Sequence, residues 1–334
     1  MAKLGFIGLG TMGSAMAARL LDGGDGSNDL TVFNRTASAA DSLVEAGASR
    51  ASSAEEVIAT GFWFSMLSND AASEGVFTAE ALAHAPAGSI HVNHSTLSIA
   101  ATERLEALHA AAGIHYVAAP VLGRPNVAAD GKLNIIAAGP ADAITRAEPF
   151  LALTGKQTWN VGTEPRKASL VKIGFNYNLI HAMQAIGESL TLMEAGGVDS
   201  ELFVSILTDV TFTGAGYTGY GKIIANKSYT PAGFTLPLGL KDLGLTEDAA
   251  DTYGVTLPSA PVLRDMFERA LDDPALANFD WSAIAEVTRS LSKPNSLSKP
   301  NSLSRPNSLS RPNSQSKPDQ AKPAEAKPIQ KQDQ

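Results

Sequence analysis

Short apolar runs alternate with stretches of helical period through the first half of the chain. The strand candidates are 3–8, 30–34, 62–67, 89–93, 114–119 and 133–138. Helical patterns fall between them at 11–22, 36–46, 53–59, 71–77, 98–111 and 140–153. Strands that alternate with helices imply βαβ units and a mostly parallel sheet covered on both faces. After about residue 164 the strand signal fades. Residues 165–195 read as one long helix, with Gly196 and Gly197 as its stop signal. Further helical patterns follow at 199–210, 238–253, 259–271 and 280–288. The expected fold is α/β: a doubly wound, mostly parallel sheet, then a long connecting helix and an all-α domain.

At Ser290 the pattern changes abruptly. Ser-Leu-Ser-Lys-Pro-Asn begins at 290 and 296, Ser-Leu-Ser-Arg-Pro-Asn at 302 and 308, and a degenerate copy at Ser314. A proline in every copy prevents a helix or central strand, and the apolar surface is too small to offset the entropy of ordering. The expected domains are therefore 1–163, 164–289 and a disordered tail at 290–334. The tail reads either as a tandem duplication without a role or as a weak electrostatic tether.

Charge sharpens that division. The 334-residue chain carries −8 in total, but the tail holds eight basic and three acidic residues, so it is +5 and the body −13. An acidic body argues against nucleic acid as a partner. No apolar run reaches the length of a membrane span, and the first strand starts too early for a signal peptide. The chain has no cysteine, which excludes disulfides and thiolate metal sites and fits a cytoplasmic protein. No metal is expected: His91 and His94 project to opposite faces of a strand end and lack a carboxylate at useful spacing.

The first strand leads into Gly8-Leu9-Gly10-Thr11-Met12-Gly13. This G-x-G-x-x-G follows a strand, opens a helix and begins a βαβ unit, as in a Rossmann-type dinucleotide site. Its glycines serve the tight turn, the approach of backbone to a pyrophosphate, and close helix packing. The second strand ends in Asn34-Arg35-Thr36, without the carboxylate that an NAD site places there. Arg35 suits a 2′-phosphate, and Asn34 and Thr36 suit hydrogen bonds to it. The expected cofactor is NADP.

Lys172 and Asn176 lie one turn apart on the long predicted helix, with Leu170, Val171 and Ile173 as apolar neighbours. Carbonyl reduction needs a donor against the developing alkoxide, and a partly buried lysine suits that task. An exposed helix lysine is the alternative on these residues alone.

Together these features resemble the β-hydroxyacid dehydrogenase family, which includes 3-hydroxyisobutyrate dehydrogenases, tartronate semialdehyde reductases and glyoxylate/succinic semialdehyde reductases. The resemblance covers about residues 1–289. It rests on Gly5–Gly13, Asn34-Arg35-Thr36, Met66-Leu67-Ser68, Asn93-His94-Ser95-Thr96, Ala119-Pro120-Val121, Lys172 with Asn176, and Leu240-Lys241-Asp242-Leu243. It implies catalysis by Lys172 and Asn176. It also implies cofactor contacts from Met66, Leu67, Ser68, Thr96 and Lys241, and substrate contacts from Ser95. Asp242 pairs with Lys241 or steers Lys172 and Asn176, and Phe234 is open between a pocket wall and core packing. The family further implies a site in the cleft between domains and a homodimer or dimer of dimers.

The chain departs from the family where a Ser-Gly-Gly usually holds the substrate carboxylate. Here the segment is Leu122-Gly123-Arg124. Arg124 is expected either to replace the serine as a carboxylate fork or to point to solvent, and Leu122 makes the pocket less polar. Arg166 and Ala168 stand where glycines usually precede the lysine. The resulting expectation is an NADPH-dependent reductase of an aldehyde, semialdehyde or oxo acid. Imine reduction and a non-catalytic dinucleotide-binding module are the alternatives.

Overall fold

A computed structural model describes residues 2–23 and 28–292. All but the first three residues of the expected tail lie outside the described residues, as does the expectation that the tail is disordered.

Six strands form the main sheet: β1 (Lys3–Ile7), β2 (Asp29–Phe33), β3 (Ser49–Arg50), β4 (Phe62–Ser65), β5 (Ile90–Asn93) and β6 (His115–Ala118). Their order is β3-β2-β1-β4-β5-β6, and every neighbouring pair is parallel. The winding direction reverses between β1 and β4, which opens a crevice at the carboxyl ends of these strands. Every residue of β5 is buried, as are Trp63, Phe64 and Ser65 of β4, because helices cover both faces.

Helix α1 (Thr11–Asp22) buries Gly13, Met16, Ala17 and Leu20, one stripe at helical spacing, against this sheet. Gly23 ends it at φ 61°, and its N–H returns to the Arg19 carbonyl. The 36–46 pattern is two pieces, a 3₁₀ turn at Ala37–Ala40 and α2 (Asp41–Glu45). The crossovers continue with α3 (Ala54–Ile58), α4 (Asp70–Val76), α5 (Ala79–Leu82) and α6 (Ile99–Ala111).

The run at 133–138 does form a strand, but in a different sheet from the other five. A second, three-stranded sheet contains β7 (Val121–Leu122), β8 (Leu133–Ala137) and β9 (Gly155–Asn160). β7 and β8 are antiparallel, with α7 (Pro125–Ala129) between them; α8 (Ala141–Thr154) connects β8 to β9. An apolar run gives strand type but not strand partner, and the short β7–α7 connection turns β8 back on β7 rather than across the main sheet. β9 went unpredicted because its sequence, Gly-Lys-Gln-Thr-Trp-Asn, is largely exposed and lacks apolar alternation.

Helix α9 (Pro165–Ala195) has 31 residues and spans about 46 Å at 1.5 Å per residue. It buries Ala168, Ile173, Asn176, Ile180, Met183, Gly187 and Leu190. Around it pack α10 (Ser200–Val210), α11 (Tyr220–Ala225), α12 (Leu236–Tyr253), α13 (Ala260–Asp272) and α14 (Ile284–Leu291). At Gly187 a Cβ would lie 2.7 Å from Ala285 Cβ, so the two helices touch backbone to backbone. The 280–288 pattern becomes a 3₁₀ turn, Trp281–Ala283, followed by α14, which runs two residues into the repeat composition. A separate apolar core of Ile180, Met183, Ile186, Leu236, Leu243, Phe267 and Trp281 holds these helices together.

Candidate active site

The glycine-rich turn is built by backbone bonds that reach across the crevice. Gly8 sits at φ 95°, and its N–H donates to Phe33 O at 2.9 Å. A Cβ on Gly13 would lie 1.9 Å from the Gly8 carbonyl oxygen, so helix and turn meet only through glycine. Gly10 has nothing within 4 Å of its Cβ position. It is the N-cap residue of α1 and makes no side-chain capping bond. Thr11 and Met12 open the helix with no acidic residue in its first turn. This is a cradle of free N–H groups at a positive helix end, open to an anion, and it fits a dinucleotide pyrophosphate.

Asn34 does something different from what its position after β2 suggested. Its Oδ1 accepts the Leu9 N–H at 3.0 Å, and its Nδ2 donates to Thr36 O at 3.0 Å. Its amide braces the glycine turn. Arg35 and Thr36 are exposed beside it. Among the described residues, no carboxylate forms an ion pair with Arg35.

The ends of β4 and β5 are tied together. Met66 N donates to Ile7 O at 2.9 Å, and Leu67 N donates to Ser95 Oγ at 2.8 Å. Ser68 is exposed just beyond them. Asn93, where the resemblance has aspartate, accepts the Ser95 N–H at 2.8 Å and donates to Tyr116 OH at 3.0 Å. Thr96 is half-buried, and its carbonyl accepts from Lys241 Nζ at 2.9 Å. That bond joins the sheet to α12.

Lys172, Asn176, Lys241 and Asp242 converge where α9 and α12 cross. Asp242 is 2% exposed. Its Oδ2 accepts from Asn176 Nδ2, and its Oδ1 lies 2.9 Å from Lys241 Nζ. One carboxylate thus pairs with Lys241 and braces Asn176. Lys172 is half-buried and outside ion-pair distance of Asp242. Burial lowers its pKa to about 8; the Asp242 charge opposes that shift and Lys241 adds to it.

Arg124 is held in an ion pair within the chain. It lies against the α-helical part of the chain, with Nη2 3.0 Å from Oδ2 of Asp280. Leu122 is half-buried, and Gly123, at φ 149°, packs so that a Cβ would meet Leu133 Cδ2 at 2.6 Å. Phe234 packs edge-on to Trp281 at 4.7 Å, closer to its core reading. Arg166 pairs with Glu164 and Glu103 at the start of α9, outside the Lys172 cluster. Asp280 went unremarked in the sequence. Its one local signal is Asp-Trp-Ser, in which the aspartate side chain caps the following 3₁₀ turn through the Ser282 N–H.

Comparison with known proteins agrees with this geometry. Residues 3–162 match the NAD binding domain of 6-phosphogluconate dehydrogenase, and residues 167–288 match the family described as NAD-binding of NADP-dependent 3-hydroxyisobutyrate dehydrogenase. The uncharacterized oxidoreductase YfjR of Bacillus subtilis is 36% identical over 290 residues, which cover 84% of this chain and 98% of that one. Glyoxylate/succinic semialdehyde reductase 1 of Arabidopsis thaliana is 31% identical, covering 86% of this chain and 98% of its own. Among solved structures, the 3-hydroxyisobutyrate dehydrogenase of Mycobacterium tuberculosis with L-serine superposes at a TM-score of 0.77. It shares 26% identity and covers 86% of this chain and 99% of its own. The chain therefore belongs to the β-hydroxyacid dehydrogenase family, as an NAD(P)-dependent oxidoreductase acting on CH–OH groups.

Proposed function

We propose that this chain is an NADP(H)-dependent reductase that converts an aldehyde, semialdehyde or oxo acid to its alcohol, with Lys172 as proton donor and oxyanion stabiliser. The observation that carries the reading is the half-buried Lys172, with its pKa near 8, one turn from an Asn176 already braced by Asp242.

Gly8 to Gly13 and the start of α1 would hold the pyrophosphate; Met66, Leu67, Ser68, Thr96 and Lys241 would line the nicotinamide. Arg35, exposed and without a carboxylate partner among the described residues, supports NADP over NAD through the 2′-phosphate. When bound, the cofactor supplies the hydride.

The remaining steps belong to the chain's own side chains. At pH 7 an amine with a pKa near 8 is about nine-tenths protonated, so Lys172 faces the carbonyl oxygen as an ammonium. It stabilises negative charge as it develops there, then transfers its proton to that oxygen. Asn176 adds a second polar contact without charge. The Ser95 hydroxyl accepts from Leu67 N–H and keeps its own O–H for the substrate. Lys241, tied to Thr96 O and Asp242, links α12 to the sheet and closes that side of the cleft.

The domains 1–163 and 164–289, a cytoplasmic setting and a homodimer are part of the same proposal. Leu202, Ile206 and Val210 stand exposed at four-residue spacing on α10, beside exposed Leu192 and Val198. Such an unpartnered apolar stripe supports a second copy as its cover.

The test is loss of NADPH absorbance with glyoxylate, succinic semialdehyde, tartronate semialdehyde, bulkier apolar aldehydes and a cyclic imine. Lys172→Ala should lower kcat by at least a hundredfold while NADPH affinity stays within twofold. Parental turnover in that variant would end the proposal.

A further inference from the structure

We propose that Arg124 and Asp280 form a charge-cancelled pair that makes this site selective for neutral carbonyl compounds over acid-bearing ones. The inference rests on the carbonyl-reducing reading above and names the substrate class of that same site.

A guanidinium recognises a carboxylate through two parallel N–H bonds along one open edge. In Arg124 that edge is already engaged at Nη2, although the side chain as a whole stays 32% exposed. Nη2 is held by Asp280 at 3.0 Å. Gly233 backbone lies against the Nε–Cζ–Nη2 side: a Cβ there would sit 2.1 Å from Nη2 and 2.6 Å from Nε. Nη1 is shut off from water and has no acceptor among the described residues. The Tyr220 ring covers a face, 5.4 Å from Cζ to ring centroid.

Asp280 is equally committed. It is 1% exposed. Oδ2 also accepts the N–H groups of Gly233 at 3.1 Å and Phe234 at 3.3 Å. Oδ1 accepts Ser282 Oγ at 2.7 Å and Ser282 N–H at 3.2 Å. The pair contributes no net charge to the loop that begins at Leu122. A substrate acid group placed there would lose its hydration without gaining an opposite charge. Leu122, two residues earlier, offers no hydroxyl in its place. Phe234, held through its N–H to Asp280 and stacked edge-on to Trp281, adds apolar surface near that loop. A neutral carbonyl with an apolar substituent needs only the Lys172, Asn176 and Ser95 groups.

The decisive experiment compares succinic semialdehyde with its methyl ester, using the full chain and NADPH. The ester should show a kcat/KM at least ten times that of the acid. A smaller ratio, or one in favour of the acid, overturns the inference. Asp280→Asn leaves the Arg124 charge uncancelled and should move the acid-to-ester ratio at least tenfold toward the acid. Circular dichroism and a melting curve establish that this variant is folded, and an unchanged ratio in the folded variant also overturns the inference. If neither compound turns over, the same comparison is made on binding. Calorimetry with 4-hydroxybutyrate and its methyl ester against the NADP⁺ complex then carries the tenfold criterion. Absent turnover with intact ester-selective binding would count against the reductase reading and leave the pair's role supported.

Discussion

The fold should weaken steeply between pH 6.5 and pH 5 because three histidines are buried neutral beneath the sheet. His91, His94 and His109 are at most 1% exposed. His109 Nδ1 faces Leu105 O at 2.6 Å, so it carries the proton and leaves Nε2 as an acceptor. His91 must then donate from Nδ1 to His109 Nε2 at 2.8 Å, and accept at Nε2 from Ser65 Oγ at 2.8 Å. The chain of bonds runs in one direction: a further proton on His109 Nε2 would face the His91 Nδ1–H, two donors together, and one on His91 Nε2 would force the Ser65 hydroxyl to turn round and accept. His94 is stacked on Phe64 with its ring planes 5° apart, and its Nδ1 lies 2.7 Å from Ala119 O. Burial lowers His94 and His109 from 6.5 to about 4 and pushes His91 down as well. Above pH 6.5 both folded and unfolded states are neutral at these rings, and stability does not depend on their titration. Below it the unfolded chain takes up protons that the folded chain refuses, so stability falls until the folded pKa is reached. For His94 and His109 a drop of 2.5 units at 1.36 kcal/mol each is about 3.4 kcal/mol per ring, set against a total of about 5–15 kcal/mol for a typical fold. Near pH 5.5 each of these two contributes a slope of about 1.2 kcal/mol per pH unit, and His91 adds to it in the same direction. Urea unfolding at 25 °C from pH 7.5 to pH 5 measures that slope above the carboxylate range. His94→Asn keeps an N–H in the Nδ1 position and removes one titration, so its slope should be lower by about 1.2 kcal/mol per pH unit, whatever its absolute stability. Flat wild-type stability across the window, or equal slopes in the two proteins, would refute the reasoning.

Three further outcomes test the site. Asp242→Asn removes the charge that holds the Lys172 pKa up, so the alkaline limb of kcat/KM for reduction should move to lower pH; an unmoved limb would separate Lys172 from Asp242. Gly13→Ala places a Cβ 1.9 Å from the Gly8 carbonyl; NADPH affinity by fluorescence titration should fall at least a hundredfold, and a loss under tenfold would mean the turn yields. Arg35→Ser should cut the preference for NADPH over NADH at least tenfold in kcat/KM, whereas an equal preference in both proteins would reassign Arg35 to the solvated surface.

The main sheet was legible because its physics is local. β1, β4 and β5 are apolar runs bounded by turns, and Gly8, Gly10 and Gly13 announce the turn by spacing alone. α9 was legible for the same reason, a long helical period that stops at two glycines. What escaped depended on partners distant in sequence. The apolar residues of β8 carry no sign that Leu122 and Val121 lie opposite them in a separate sheet. Asn34 has an amide donor that suits a phosphate, yet its Nδ2 donates to Thr36 O while its Oδ1 takes the N–H of Leu9, 25 residues earlier.

Arg124 shows why residue type misleads most at such contacts. An arginine in a loop that the family resemblance marks for a substrate acid reads as an acid receptor, because charge is visible in sequence and cancellation is not. Asp280 lies 156 residues away and its side chain also caps a short turn, a sufficient local reason for an aspartate. Only the fold brings the two together, and it changes the reading: the guanidinium charge that would attract a carboxylate in isolation faces the buried Asp280 instead. The same separation in sequence gives the pair its structural leverage. One partner lies in the loop after β7, the other just before α14, and Phe234 N–H is held by the same carboxylate two residues before α12 begins. Any motion that parts the two halves of the cleft must break Arg124 from Asp280, leaving a buried carboxylate without its counter-charge. That leaves the pair unfavourable to part, because Asp280 is almost fully buried and would keep its charge without a partner.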